Sequence, residues 1–123
     1  MEWLLFVGNI KGSSMTLREN IIDLLALYAS PKQQFEYEKE VPIANVPQEL
    51  LSMWFDPDNK DIKLAFNLKE HRSLSEFTGY FNERLKYIPQ FDGVTGLQQN
   101  RQWLEIQKYA KSLLDINKWN TNL

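Results

Sequence analysis

Cysteine is absent from this 123-residue chain, and that one absence removes several chemistries. No disulfide can staple the fold, no thiolate can hold zinc and no thiol can act as a nucleophile. The lack is compatible with a reducing cytosol. Histidine is nearly missing too, with His71 the only one. Long apolar runs are also lacking. The run nearest the start, Trp3 to Val7, is five residues long, follows Glu2 rather than a basic segment, and leads to no small-residue cleavage site. Neither a secretory leader nor a membrane span is expected. There is no GxGxxG fingerprint and no phosphate loop with its lysine.

What is present is aromatic and unevenly charged. Four Trp, five Tyr and seven Phe can supply much of a core. The length suits one domain, with hydrophobic residues at 43% and charged residues at 24%, both ordinary for a globular protein. Net charge is −2, which does not favour a nucleic-acid binder. Residues 36–61 concentrate the acids: Glu36, Glu38, Glu40, Glu49, Asp56, Asp58 and Asp61 against only Lys39 and Lys60. An acidic middle on an otherwise basic chain points to a cationic partner, or to a solvated helix face.

Residues 1–14 read as a short apolar segment followed by a Gly/Asn/Ser cluster. Trp3 to Val7 has strand character, but no second strand is present to pair with it. These residues are read as an N-terminal extension, with Met15 an alternative start that intact mass of the natively expressed protein would test. Residues 15–123 are read as a single helical domain.

Thr16 and Glu19 have capping-box spacing, and Leu17, Ile21, Leu24, Leu25 and Tyr28 form an apolar stripe on a helix to about Ala29. Ser30-Pro31 reads as N-cap and first residue of a second helix, to about Glu40, with Phe35 inward and Tyr37 near the edge. Val41-Pro42 ends it. Pro47 restarts a helix over Gln48 to Phe55, with Leu50, Leu51, Trp54 and Phe55 inward. Asp56-Pro57 stops it, and Asp58 with Asp61 marks a short helix to Ala65 or Phe66.

Asn67 and Glu70 repeat the capping spacing and open the longest helix, Leu68 to about Ile88. Leu74, Phe77, Phe81, Leu85 and Ile88 step along one face. Gly79 in its middle predicts a close helix crossing. Thr95 caps a single turn, Gly96 to Gln99. Asn100 caps a last helix to about Asn117, burying Trp103, Ile106, Ala110, Leu113 and Leu114, with Trp119 able to fold back. Together these segments predict an all-α fold, a compact irregular bundle of five to six helices.

Tests for chemistry find little. His71 lies in a helix first turn and lacks a glycine-framed nucleophile, so it reads as an exposed, solvated residue. Asp56, Asp58 and Asp61 superficially resemble a calcium loop, but the sixth and twelfth positions would be Asp61 and Asn67 rather than Gly and Glu. No metal, no cofactor and no catalytic residue is assigned. Lys108, Lys111 and Lys118 have no aromatic residues interleaved at a nucleic-acid-binding spacing. What remains is a protein-binding surface: Glu36, Tyr37 and Glu40 on one helix, then Asp56, Asp58 and Asp61 after the proline-punctuated linker.

The segment from Tyr37, YEKEVPIANVPQELLSMWFDP, with the later helix LSEFTGYFNERL from Leu74, resembles small bacterial immunity proteins of contact-dependent growth inhibition and related polymorphic-toxin systems. The likeness runs from about Thr16 to Leu114, and the pattern from Val41 to Asp56 carries most of it. It implies a cytosolic, non-catalytic protein, monomeric when free. Such a protein covers the active site of one cognate toxin domain, often a nuclease with a cationic surface. Two other readings stand beside it. One is a regulatory or scaffold module that binds a protein helix or itself. The other is an enzyme whose site would need a deep pocket around His71 with at least two carboxylates.

Overall fold

A computed structural model describes residues 16–119 of the chain. The readings of residues 1–14 as an extension, of a strand within them and of Met15 as a start lie outside those residues. Seven helices and no strand occur among the described residues: α1 Leu17–Ala29, α2 Pro31–Glu40, α3 Val46–Ser52, α4 Lys60–Ala65, α5 Leu68–Leu85, α6 Val94–Leu97 and α7 Arg101–Ile116. The all-α bundle is as expected. One helix beyond the expected five to six comes from the one-turn α6.

Three long helices make the centre. α1 and α7 are antiparallel: Tyr28 near the end of α1 meets Trp103 near the start of α7, ring centroids 5.6 Å apart. At the other end, Arg18 lies 5.9 Å from the Trp119 ring just beyond α7. α5 also runs antiparallel to α7, with Arg84 paired to Glu105 at 3.1 Å. The predicted stripes become the core: Ile21, Leu24, Leu25, Tyr28, Leu74, Phe77, Phe81, Trp103, Ile106, Ala110, Leu113 and Leu114 are all buried. Both capping boxes form, at Thr16/Glu19 and at Asn67/Glu70.

The end of α7 is unusual. Lys118 adopts φ 58, the left-handed region that glycine ordinarily fills. Its N–H donates to the Asp115 carbonyl at 3.2 Å, and the Trp119 N–H reaches back to Leu114 at 2.8 Å. This Schellman-type ending turns Trp119 onto Phe66, centroids 5.7 Å apart, so Trp119 does fold back.

Several local readings are corrected. Tyr37, not Phe35, faces inward on α2: Tyr37 is 1% exposed and Phe35 37%. The buried face of α2 is polar at its start, since Gln34 is also buried. Its amide nitrogen reaches the Leu27 and Tyr28 carbonyls, at 3.0 and 3.1 Å, and so satisfies the end of α1. α3 begins at Val46, capped by Asn45, which puts Pro47 at its second residue. It ends at Ser52, and Trp54 leaves the helix to donate its indole N–H to Thr78 at 2.7 Å.

Asn59, not Asp58, caps α4. α6 starts at Val94, without the expected Thr95 cap. Its first N–H is taken by Glu38, arriving from α2 at 2.9 Å. α5 stops at Leu85, because Tyr87 and Ile88 make tighter three-residue bonds back to Arg84 and Leu85 ahead of Pro89. Gly79 marks no crossing: a Cβ added there would meet nothing within 4 Å.

Candidate functional site

The six residues expected to bind a partner do not form one surface. α2 is tied to the last turn of α1 through Gln34. α4 is tied to its first turn, where Arg18 donates to the Ala65 carbonyl at 3.2 Å. The α1 positions involved are ten residues apart, roughly 15 Å at 1.5 Å per residue. Glu36 and Glu40 therefore sit at one end of the domain, and Asp58 and Asp61 towards the other. Tyr37 drops out of the surface altogether, because its ring is buried and its hydroxyl donates to Glu49 at 3.3 Å.

The acidic stretch is also less free than its composition implies. Glu49 accepts from Tyr37, and Glu38 from the Val94 N–H. On α2, exposed Glu36 and Glu40 alternate with exposed Lys32 and Lys39, which leaves that face nearly neutral. Tertiary contacts have turned two of the seven carboxylates into structural ties.

The remaining three aspartates share one corner, between α3 and α5. Asp56 accepts from the Asp58 N–H at 2.9 Å, an Asx turn that fixes the loop. His71 holds the same loop from α5. Its Nε2 lies 2.9 Å from the Pro57 carbonyl and 3.5 Å from an Asp58 carboxylate oxygen. A carbonyl only accepts, so Nε2 carries the proton. His71 is thus not the solvated residue expected: its side chain is 22% exposed and pins the loop. Asp56, Asp58 and Asp61 all remain exposed.

Asp56 borders a groove of about 520 Å³ between the α3 end and α5, walled by Leu51, Trp54, Phe55, Phe81 and Leu85, with Thr78 and Asn82 as its polar side. Trp54 meets Phe77 edge-on at 5.0 Å and Tyr28 at 5.7 Å, so the groove rests directly on the core. On α4, Leu64 is 77% exposed, three residues after Asp61 and hence on the same face. Leu68 at the start of α5 is 86% exposed. The order Trp-Phe-Asp at 54–56 was the available sequence signal for the groove.

At the far side of the corner, Arg18 grips Glu70 through two bonds of 2.8 and 2.6 Å while stacking 5.0 Å from the Phe66 centroid. That guanidinium, helped by the Asn67 N–H, pulls the Glu70 carboxyl down from 4.5 to about 2. Among the described residues no group of three or more His, Asp or Glu side chains could hold a metal ion. None of the described helices is long and apolar enough to cross a membrane. No family model, no curated protein and no solved structure matches this chain.

Proposed function

We propose that this chain is a non-catalytic immunity-type protein that acts in the cytoplasm. It binds a cognate toxin domain and covers that domain's cationic active-site surface. The docking face is the α3–α5 corner rather than the whole acidic stretch. The observation that carries this reading is Asp56 on the rim of the Trp54/Phe55 groove, with exposed Asp58 and Asp61 following it along the chain. An apolar recess takes an anchoring side chain, while the surrounding carboxylates steer a basic partner and stand in for the phosphates it would otherwise grip.

The test is binding to the toxin domain encoded beside this chain, with the wild type and with Asp58→Lys/Asp61→Lys. The reversal is expected to weaken binding by about tenfold or more and to flatten its salt dependence. Affinity and salt dependence that both survive the reversal would overturn the acidic docking face. A second reading, self-association through the corner, is favoured by the openness of Leu64 and Leu68. Light scattering on the eluting protein separates the two: a dimer that Leu64→Lys dissolves supports self-association.

A further inference from the structure

A second groove lies on the other side of α5. Thr78 and Asn82 face the first groove, whereas Tyr80, two residues from each, points about 200° away at 100° per residue. Tyr80 and Arg84 together with α7 border a shallow, open groove of about 580 Å³, lined also by Glu105, Lys108, Tyr109, Ser112 and Ile116. No local pattern announces it, because α5 and α7 each supply one tyrosine and one base.

The groove combines donors, positive charge and one open apolar side chain. Arg84 stacks on the Tyr80 ring at 3.5 Å, and the rings of Tyr80 and Tyr109 meet edge-on at 4.7 Å. Glu105 is already clamped by Arg84 at 3.1 Å and Arg101 at 3.6 Å, which holds its carboxyl below the usual range. Lys108 is exposed and makes no ion pair with a described residue, and exposed Lys111 follows one turn later. Burial, then Glu76 and Tyr80, raise the Tyr109 phenol, so it stays a protonated donor. Ile116 is 66% exposed at the far end, eight residues from Lys108, roughly 12 Å along the helix.

We propose that the α5–α7 groove docks an acidic segment of a partner protein, with a carboxylate set against Lys108 and Arg84 and an apolar side chain laid on Ile116. Charge complementarity selects the anion, and the rings choose between anions. Arg84 occupies a face of Tyr80, and Tyr109 makes T-shaped contacts with both Tyr80 and Phe77. Stacked nucleic-acid bases need open ring faces, whereas a carboxylate needs only N–H and O–H donors. The inference is independent of the docking corner above, which lies across α5.

The test is a titration of the isotope-labelled full chain, followed by amide NMR, with a synthetic peptide of Glu and Leu. An oligothymidylate strand is titrated in parallel. Saturable shifts are expected around Tyr80, Arg84, Lys108, Tyr109 and Ile116, and not at Asp56 to Asp61. Lys108→Glu is expected to weaken the peptide about tenfold and Ile116→Ser about threefold. Lys108→Gln serves as the reading if Lys108→Glu does not fold. Three results overturn the proposal: no binding at low salt, shifts that map elsewhere or ignore the Lys108 variant, or tighter binding of the oligothymidylate at this groove.

Discussion

The α1–α5–α7 centre and the α2–α4 stretch hold together by different means, although both are helical. The centre rests on long apolar stripes, with Trp103, Ile106 and Leu114 fully buried. The stretch from 31 to 65 has only short helices, which each bury one or two apolar anchors, such as Tyr37, Leu50 and Ile62, and add single polar ties. Gln34 reaches the end of α1, Tyr28 donates to the Leu50 carbonyl, Glu38 caps α6, Trp54 bonds Thr78 and His71 bonds Pro57. Area burial tolerates small shifts in either partner. A hydrogen bond to one carbonyl does not, so it places a short helix at one register. The contrast accounts for the exposed carboxylates of the second region: its side chains are not all committed to a core.

The comparison predicts a graded response. Ile106→Ala, at a site with no exposure, is expected to cost about 2–5 kcal/mol in urea unfolding, because the three central helices close around it. A loss below about 1 kcal/mol would mean that the centre is no more cooperative than the ties.

Arg18→Ala comes next, at about 1–2 kcal/mol near neutral pH, held down because the Arg18 side chain is 39% exposed. Its pH signature is distinct. Glu70 titrates lower in the folded chain, near 2, than the ordinary 4.5. The Arg18–Glu70 contribution is therefore complete above about 4.5 and lost as pH falls towards 2. Stability of the wild type should drop through that window, and Arg18→Ala should drop less. Parallel curves would show that Glu70 owes its low value to something else.

The smallest contrast is the sharpest. Glu38→Ala is expected to cost about 1 kcal/mol by stranding the Val94 N–H, and Glu36→Ala less than about 0.5 kcal/mol. The two residues lie two apart in one acidic run, yet only Glu38 acts as a tie. Equal thermal shifts would erase the distinction between committed and free carboxylates.

Legibility followed the same division. α1, α5 and α7 were readable because each repeats apolar residues at helical spacing and opens on a capping residue, Thr16, Asn67 or Asn100. The misplacements at Phe35 and His71 fall where a distant partner sets the role, whereas Asn45 and Asn59 cap α3 and α4 through local bonds. Phe35 looks more apolar than Tyr37, but a buried tyrosine with Glu49 as acceptor outcompetes it. Asp58 looks like a cap, but His71 engages its loop. Lys118 holds a left-handed ending with no glycine to announce it. For the candidate site, Glu36 and Glu40 were grouped with the three aspartates because they are near in sequence, and the fold separates α2 from α4.

Local chemistry alone determined that this chain is helical, where its three long helices begin and which of their faces turn inward, since capping and periodicity act within a few residues. Tertiary structure alone decided which carboxylates stay free and that two grooves open on opposite sides of α5. Both depend on which atoms of remote helices come within hydrogen-bonding or van der Waals distance, and no spacing along the chain encodes that distance directly.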